Sequence, residues 1–407
     1  MKKILFAAFA ATLLAAGCQK TEIFGTTPTN GPEMTFSTEM KKITKADPSA
    51  SAVGDANLQA QGFNVWAYAD YDVTNSANVG PVGNYQGIYD GIADLHVTYD
   101  DADPNDNNPG WWNPGKEYYW PGASKNLRFY AVSATINTDK KLNYTVNINQ
   151  SCPNYLKTET KASDDYELQV VDFAVNSSSP NEDLMVADFI TQNQQNKTVD
   201  LHFHHTLAKV EFLFKTATSE TVEAKQPKVY VQKITVSGMQ TKGTLNVAPS
   251  TSGSLTAPTS FTWVPSTENS DVKIFSSTSE ANDIILNANE QMDYLTGENY
   301  TSQKGLKLIP TITSADGNIS GTAVEPARFV TWLMMPQTLA EKKVEIIYVI
   351  NNRQFKAIFD LATTEITEWA VNSYTKYTVS LLPNLISFTA TSRPWTPTDG
   401  NGIEHQN

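Results

Sequence analysis

Three groups of side chains in this sequence have types and spacings suited to chemistry, and each has a plainer reading beside it. In Asp100-Asp101-Ala102-Asp103-Pro104-Asn105-Asp106-Asn107-Asn108-Pro109-Gly110, Asp101, Asp103 and Asn105 alternate as the oxygen ligands of a calcium loop do. Such a loop needs glycine at position six and glutamate at position twelve. Here they are Asp106 and Trp112, so a solvated acidic loop is favoured. His202 and His204 share one strand face at two-residue spacing, which suggests zinc. A structural zinc site wants four ligands, however, and the sequence supplies no third ligand nearby. His205 falls on the apolar phase and reads as a core or hydrogen-bonded histidine. Trp111, Trp112, Tyr118, Tyr119 and Trp120 have the makings of a sugar-stacking platform, but aromatics also dominate sandwich cores. Core packing is favoured for Tyr118 to Trp120, and both readings stay open for Trp111 and Trp112. The chain has no Gly-x-Ser-x-Gly elbow, His-Glu-x-x-His pair or phosphate-cradling glycine loop, and no pair of acidic residues is singled out by spacing. The expectation is a protein that is not an enzyme and carries no cofactor or metal.

The remaining chemistry belongs to Cys18. Lys2 and Lys3 precede an uncharged apolar run from Ile4 to Gly17, too short to span a bilayer and suited to a signal peptide. It ends in Ala15-Ala16-Gly17-Cys18, which resembles a bacterial lipobox. Small residues there let a peptidase reach the backbone, and the thiol accepts a diacylglyceryl group. The plainer alternative is a secretory signal with a chance cysteine. Cys152 is the one other cysteine, so a lipidated chain has no intrachain disulfide and depends on its core or its assembly for stability. The net charge of −13 argues against nucleic acid and anionic membranes as partners, since both call for a basic face.

The elements expected to carry these residues are strands. Residues 19–33 read as a tether. Phe63 to Ala69, Leu127 to Val132, Tyr144 to Ile148 and Leu168 to Val175 are short, aromatic and β-branched, near turn formers. Val199, Leu201, Phe203, His205 and Leu207 put the apolar residues on odd positions. The phase then moves to Val210, Phe212 and Phe214, which requires a bulge or bend near Ala208. Further strands are expected at Val229 to Val236, Ile284 to Leu286, Phe329 to Met334, Val344 to Ile350, Phe355 to Phe359, Tyr374 to Leu382 and Leu385 to Ala390, with a surface excursion at 248–260. At 407 residues there is room for two cores. The fold class is all-β, two sandwich domains with a few short helices, divided within the polar stretch 216–226. This gives domains at 34–220 and 221–407.

Several stretches resemble the fimbrillin-like family, subunits of type V pili. They are Thr35-Phe36 to Thr44-Lys45-Ala46, Tyr118-Tyr119-Trp120-Pro121 with Phe129-Tyr130-Ala131, Asp183 to Ala187 with Val199 to Lys209, Leu333-Met334-Met335-Pro336, Trp369, Tyr374 to Val379, and Trp395. The resemblance implies two transthyretin-like β-sandwiches and a lipoprotein precursor, bound for the outer membrane and then the fimbrium. It also implies cleavage by a trypsin-like protease and removal of the first strand. A terminal strand from another subunit then fills the vacated groove, so the implied partners are other fimbrial subunits, with a host or microbial surface ligand possible. Lys45-Ala46 stands where the family carries a basic residue before Ala, Lys here and not Arg. Met34, Phe36, Thr38 and Met40 lie at period two, the pattern of the strand to be removed. Ile386, Phe388 and Ala390 share one face of 385–391 and are the candidate donor side chains; the segment reads equally as an ordinary final strand. A monomeric glycan-binding surface lipoprotein is the alternative from another class, and it needs neither the cleavage site nor the donor strand.

Overall fold

The computed structural model describes residues 31–40, 56–69, 87–100, 111–121, 126–133, 142, 144–148, 166–175, 183–222, 225–248, 260–266, 269–276, 307–309, 311–313, 327–350, 353–382 and 385–395. The chain opens with β1 (Thr35–Met40), helix α1 (Ala56–Gln61), β2 (Phe63–Ala69), β3 (Gly87–Ile88), β4 (Leu95–Asp100), β5 (Trp111–Asn113) and β6 (Leu127–Ser133). It continues through β7 (Thr145–Ile148), β8 (Leu168–Ala174), β9 (Met185–Ala187), β10 (Ile190–Gln192), β11 (Thr198–His205) and β12 (Ala208–Thr218). Then follow β13 (Val229–Gln240), β14 (Lys242–Ala248), β15 (Ser260–Pro265), β16 (Asn269–Ser276), β17 (Lys307–Ile309), β18 (Thr311–Thr313) and β19 (Ala327–Met334). The last elements are β20 (Gln337–Thr338), β21 (Lys343–Ile350), β22 (Arg353–Asp360), β23 (Glu368–Trp369), β24 (Ser373–Leu382) and β25 (Leu385–Pro394). The fold is all-β, and α1 is the one helix among the described residues. It stops at Gly62, whose φ of +71 and N–H to Leu58 O (2.9 Å) form a helix C-cap. A Cβ there would lie 2.5 Å from Val97 O, so the position is reserved for glycine twice over.

The first sheet runs β1-β11-β9-β6-β2-β4-β5, with β10 beside β6 and β3 beside β2. It curls until its two ends meet, where the Trp112 indole N–H on β5 donates to Thr38 Oγ1 on β1 (3.1 Å). Phe63, Phe129, Val199, Leu201 and Phe203 fill the inside of the curl. Its outer face packs against a second sheet, β15-β14-β8-β7, through Trp66, Tyr130, Phe173, Leu245 and Val247. Because both faces of β2 and β6 are covered, every residue of these strands is buried. That explains why the two strands are mostly apolar on both faces, with Asn64, Arg128 and Ser133 as their buried polar members.

The second sandwich sets β18-β12-β24-β25, with β19 also on β12, against β16-β13-β21-β22, with β17 on β13. Val210, Phe212, Phe214, Ile234, Ile346, Tyr377 and Val379 lie between them. The change of phase near Ala208 is a change of sheet. β11 ends in the first sheet at His205, Leu207 packs in the layer between sheets, and β12 starts in the second sandwich at Ala208. The sheets therefore divide the chain elsewhere than at 216–226. β12, before that stretch, is an inner strand of the second sandwich, while β14 and β15, after it, complete the first by pairing β14 with β8. Composition marks polar loops, but it carries no record of which sheet a strand joins. Expected strand 284–286 lies outside the described residues, as does 249–259.

Candidate functional site

The seat of β1 is built from the neighbours it needs. Phe36 and Met34 are 6% and 2% exposed, and the Phe36 ring meets Phe63 edge-on at 6.0 Å. Phe63 also touches Trp112 (5.0 Å) and Phe203 (5.4 Å), so the strand's side chains enter the centre of an aromatic cluster. β1 runs parallel to β11 from Thr35↔Thr198 to Met40↔Phe203. On the opposite face, Thr35 and Thr198 hydroxyls meet at 2.9 Å and Ser37 Oγ donates to Asp200 Oδ1 (2.8 Å). Thr38, on the Met34–Phe36 face, accepts the Trp112 N–H already described. Met40 is placed by its backbone pairing.

The approach to β1 is fastened as well. Met34 N donates to Tyr118 O (2.7 Å), Trp120 N donates to Pro32 O (3.1 Å), and Glu33 bridges Tyr119. A Cβ on Gly31 would fall 2.1 Å from Trp120 O. The segment expected to be a tether through residue 33 thus makes strand-like contacts from Pro32 onward. Tyr118 and Trp120 are both 2% exposed, and the Trp120 indole donates to Lys197 O (2.9 Å). Their role is to floor and wall the groove. Lifting β1 out would uncover Phe63, Phe203 and Trp112 and leave Thr198 to His202 of β11 without a described partner strand, since β9 pairs with β11 only at Phe203–His205. Such an edge beside open apolar slots is a receptor for another strand.

β25 is the other edge. It pairs antiparallel with β24 in its own chain, from Leu382↔Leu385 to Ser373↔Pro394. Phe388 stacks between Phe359 (4.7 Å) and Tyr377 (5.1 Å), Ala390 packs beside it, and Ile386 is 36% exposed. The three candidate donor side chains do share one face; Phe388 and Ala390 pack against the home core, while Ile386 stays exposed. Pro394 is tolerated because β25 is an edge strand with no further neighbour in the described sheet. Beyond it, Trp395 is 5% exposed and stacks on His205 at 3.5 Å and 10°.

Of the other candidates, Cys18, Lys45, Ala46, Cys152 and 101–110 lie outside the described residues. Asp100 Oδ2 accepts from Asn113 Nδ2 (2.7 Å). Each of the three candidate histidines has a carboxylate of its own: His202 with Asp200 (3.2 Å), His204 with Asp188 (2.9 Å) and His205 with Asp183 (2.8 Å). Among the described residues no group of three or more His, Cys, Asp or Glu is placed to hold a metal ion. Trp111 is 50% exposed, whereas Trp112 turns inward at 8%, so the two do not form a common platform.

One polar cluster was not foreseen. The Arg128 guanidinium makes two bonds to Glu167 (2.7 and 2.9 Å), whose carboxylate also accepts from Tyr130 OH (2.8 Å), all of it buried. Burial, and after it the Glu167 charge, holds the Tyr130 phenol far above its usual range. It ties β6 to the chain entering β8. No signal in the sequence joins residues so far apart.

Comparisons with known proteins give one family and several distant likenesses. The sequence profile described as fimbrillin-like matches residues 52–395. A putative cell adhesion protein from Bacteroides uniformis aligns over 91% of this chain and 100% of its own, at 14% identity and a TM-score of 0.43. A fimbrial protein from Bacteroides vulgatus aligns over 89% and 99%, at 12% identity and 0.44. A fimbrial assembly protein from Parabacteroides distasonis aligns over 84% and 90%, at 11% identity and 0.32. No protein of curated function matches the chain significantly in sequence.

Proposed function

The chain belongs to the fimbrillin-like family, and from that premise we propose that it is a structural subunit of a cell-surface fimbria. In this reading it is exported as a lipoprotein precursor acylated on Cys18 and has two transthyretin-like sandwiches. A trypsin-like protease cuts between Lys45 and Ala46, β1 leaves, and the β25 segment of another copy takes its place on β11. The polymer serves adhesion, and the lipid tethers the precursor to the outer membrane.

The observation that carries the reading is the position of β1. It is an edge strand that plugs an aromatic core with Met34 and Phe36, and it precedes both Lys45-Ala46 and the family match that starts at residue 52. One cut in the intervening stretch separates plug from socket without touching the matched region. Ile386, Phe388 and Ala390 supply the alternating apolar face that such a socket accepts, with main-chain bonds of about 0.5–1.5 kcal/mol net each setting the affinity. Among the described residues no helix is long and apolar enough to cross a membrane. Antibody raised against the purified chain should decorate filaments on intact cells. An even coat on cells without filaments, together with retention of the chain on immobilised glycans, would overturn the subunit reading in favour of a monomeric glycan binder.

A further inference from the structure

The socket and the donor strand of one subunit are joined by a physical link. β11 floors the groove, pairing with β1 from Thr198 to Phe203, and the same strand ends two residues later at His205. His205 is 2% exposed, and its Nδ1 lies 2.8 Å from Asp183 Oδ2, itself fully buried. The other side of the imidazole is covered by the Trp395 indole, 3.5 Å away and nearly parallel. Trp395 directly follows the last residue of β25. Its N–H donates to Asn372 O (2.8 Å), and Asn372 N–H donates to Leu207 O (3.2 Å), in the link between β11 and β12. The Lys209 ammonium lies 5.2 Å from the Trp395 ring. The end of β25 is therefore fastened to the first sandwich, on the strand that β1 supports, and not to its own sheet alone.

We propose that Trp395 is a clasp that keeps the donor strand closed while β1 is in place and loosens it when β1 is gone. The inference rests on the strand-exchange reading above. For β25 to leave β24, a ten-residue ladder must open, and its C-terminal end cannot part from β24 while Trp395 is held against His205. Loss of β1 removes the ladder from Thr198–Phe203 and leaves β9 at Phe203–His205 as the described strand still paired with β11, with Asp188 N–H to His202 O (2.8 Å) and Thr206 N–H to Leu184 O (3.0 Å) on either side. Fraying then starts at the unpaired Thr198–His202 end, and a remnant of three paired residues opens more readily as a unit, which carries His205 away from the indole. The coupled element has two states, β25 paired or released, and occupancy of the groove biases the choice between them. The uncut precursor is thereby kept from donating its strand before its own socket is open.

Hydrogen exchange on the full chain tests this without relying on the natural cleavage site. A recognition site for an unrelated protease is inserted between Lys45 and Ala46, and exchange over 385–395 is followed before cutting and after cutting with release of 31–40. The clasp predicts exchange about tenfold faster after release. It also predicts that Trp395→Ala reaches that faster rate in the uncut chain, with little further change on cutting. Trp395→Phe, which keeps a ring against His205, should stay near wild type while uncut. Unchanged exchange over 385–395 after release, with 198–203 now fast, overturns the clasp, as does a slow 385–395 in the uncut Trp395→Ala chain. Polymer formation by the cut wild type is scored separately. Polymer with an unchanged β25 sinks the clasp and leaves strand exchange standing; a loosened β25 with no polymer does the reverse.

Discussion

Phe203 and Arg128 show how single side chains hold the groove in shape. Phe203 is fully buried, 5.4 Å from Phe63 and in register with Met40 at the end of β1. Phe203→Ala should lower stability by about 3–5 kcal/mol in chemical denaturation, the usual cost of deleting a core aromatic. Arg128 and Glu167 are a buried bidentate pair, so removing one charge strands the other. Glu167→Gln should cost about 3–5 kcal/mol, and Arg128→Met combined with Glu167→Leu should recover most of it, as read from urea midpoints of the three chains. At this scale legibility varied sharply. The odd-position rule placed Val199, Leu201 and Phe203 in the core because strand alternation is local. The Arg128–Glu167 pair and the His205–Trp395 stack were invisible, since they depend on packing between distant segments that leaves no periodic trace.

β1 and β25 are each edge strands with one apolar face, and their roles differ through what surrounds them. β1 sits between β11 and the end of β5, stapled by Thr35, Ser37 and Thr38; β25 leans on β24 and carries Phe388 into the second core. A strand has the same sequence pattern whether it pairs at home or abroad, and the alternation of Ile386, Phe388 and Ala390 left that choice open. The home pairing now on view is the state from which a donor must depart. Deleting 384–407 should leave a chain that folds, is cut after Lys45 and stays monomeric in size-exclusion chromatography; normal polymer from this chain would place the donor elsewhere. The expected boundary at 216–226 illustrates a different limit. β12 and β14 each join the sheet on the far side of that polar stretch, because pairing over long sequence separations is decided by the sheets and not by local composition.

The described residues form two sandwiches joined at His205–Ala208, with a plug before the first and a candidate donor strand at the edge of the second. This arrangement suits a subunit that changes partners once. If the precursor is anchored through lipid, a fatty-acid probe should label the wild-type chain in cells and leave Cys18→Ala unlabelled; equal labelling would point to an ordinary secretory signal. All-β class and family membership were legible from alternating strands and from motifs in a fixed order, which survive when each motif alone is weak. The curl of the first sheet was not, since closure depends on Trp112 of β5 reaching Thr38 of β1 between the two ends of the sheet. The central claim is that a single cut converts a closed monomer into a strand acceptor. Limited trypsin treatment of the purified precursor, followed on denaturing and native gels, tests it most directly. The account predicts a first cut after Lys45, then a ladder of regularly spaced oligomers, with Lys45→Gln remaining a monomer. Clean cleavage after Lys45 with release of β1 and no species larger than the monomer would contradict it.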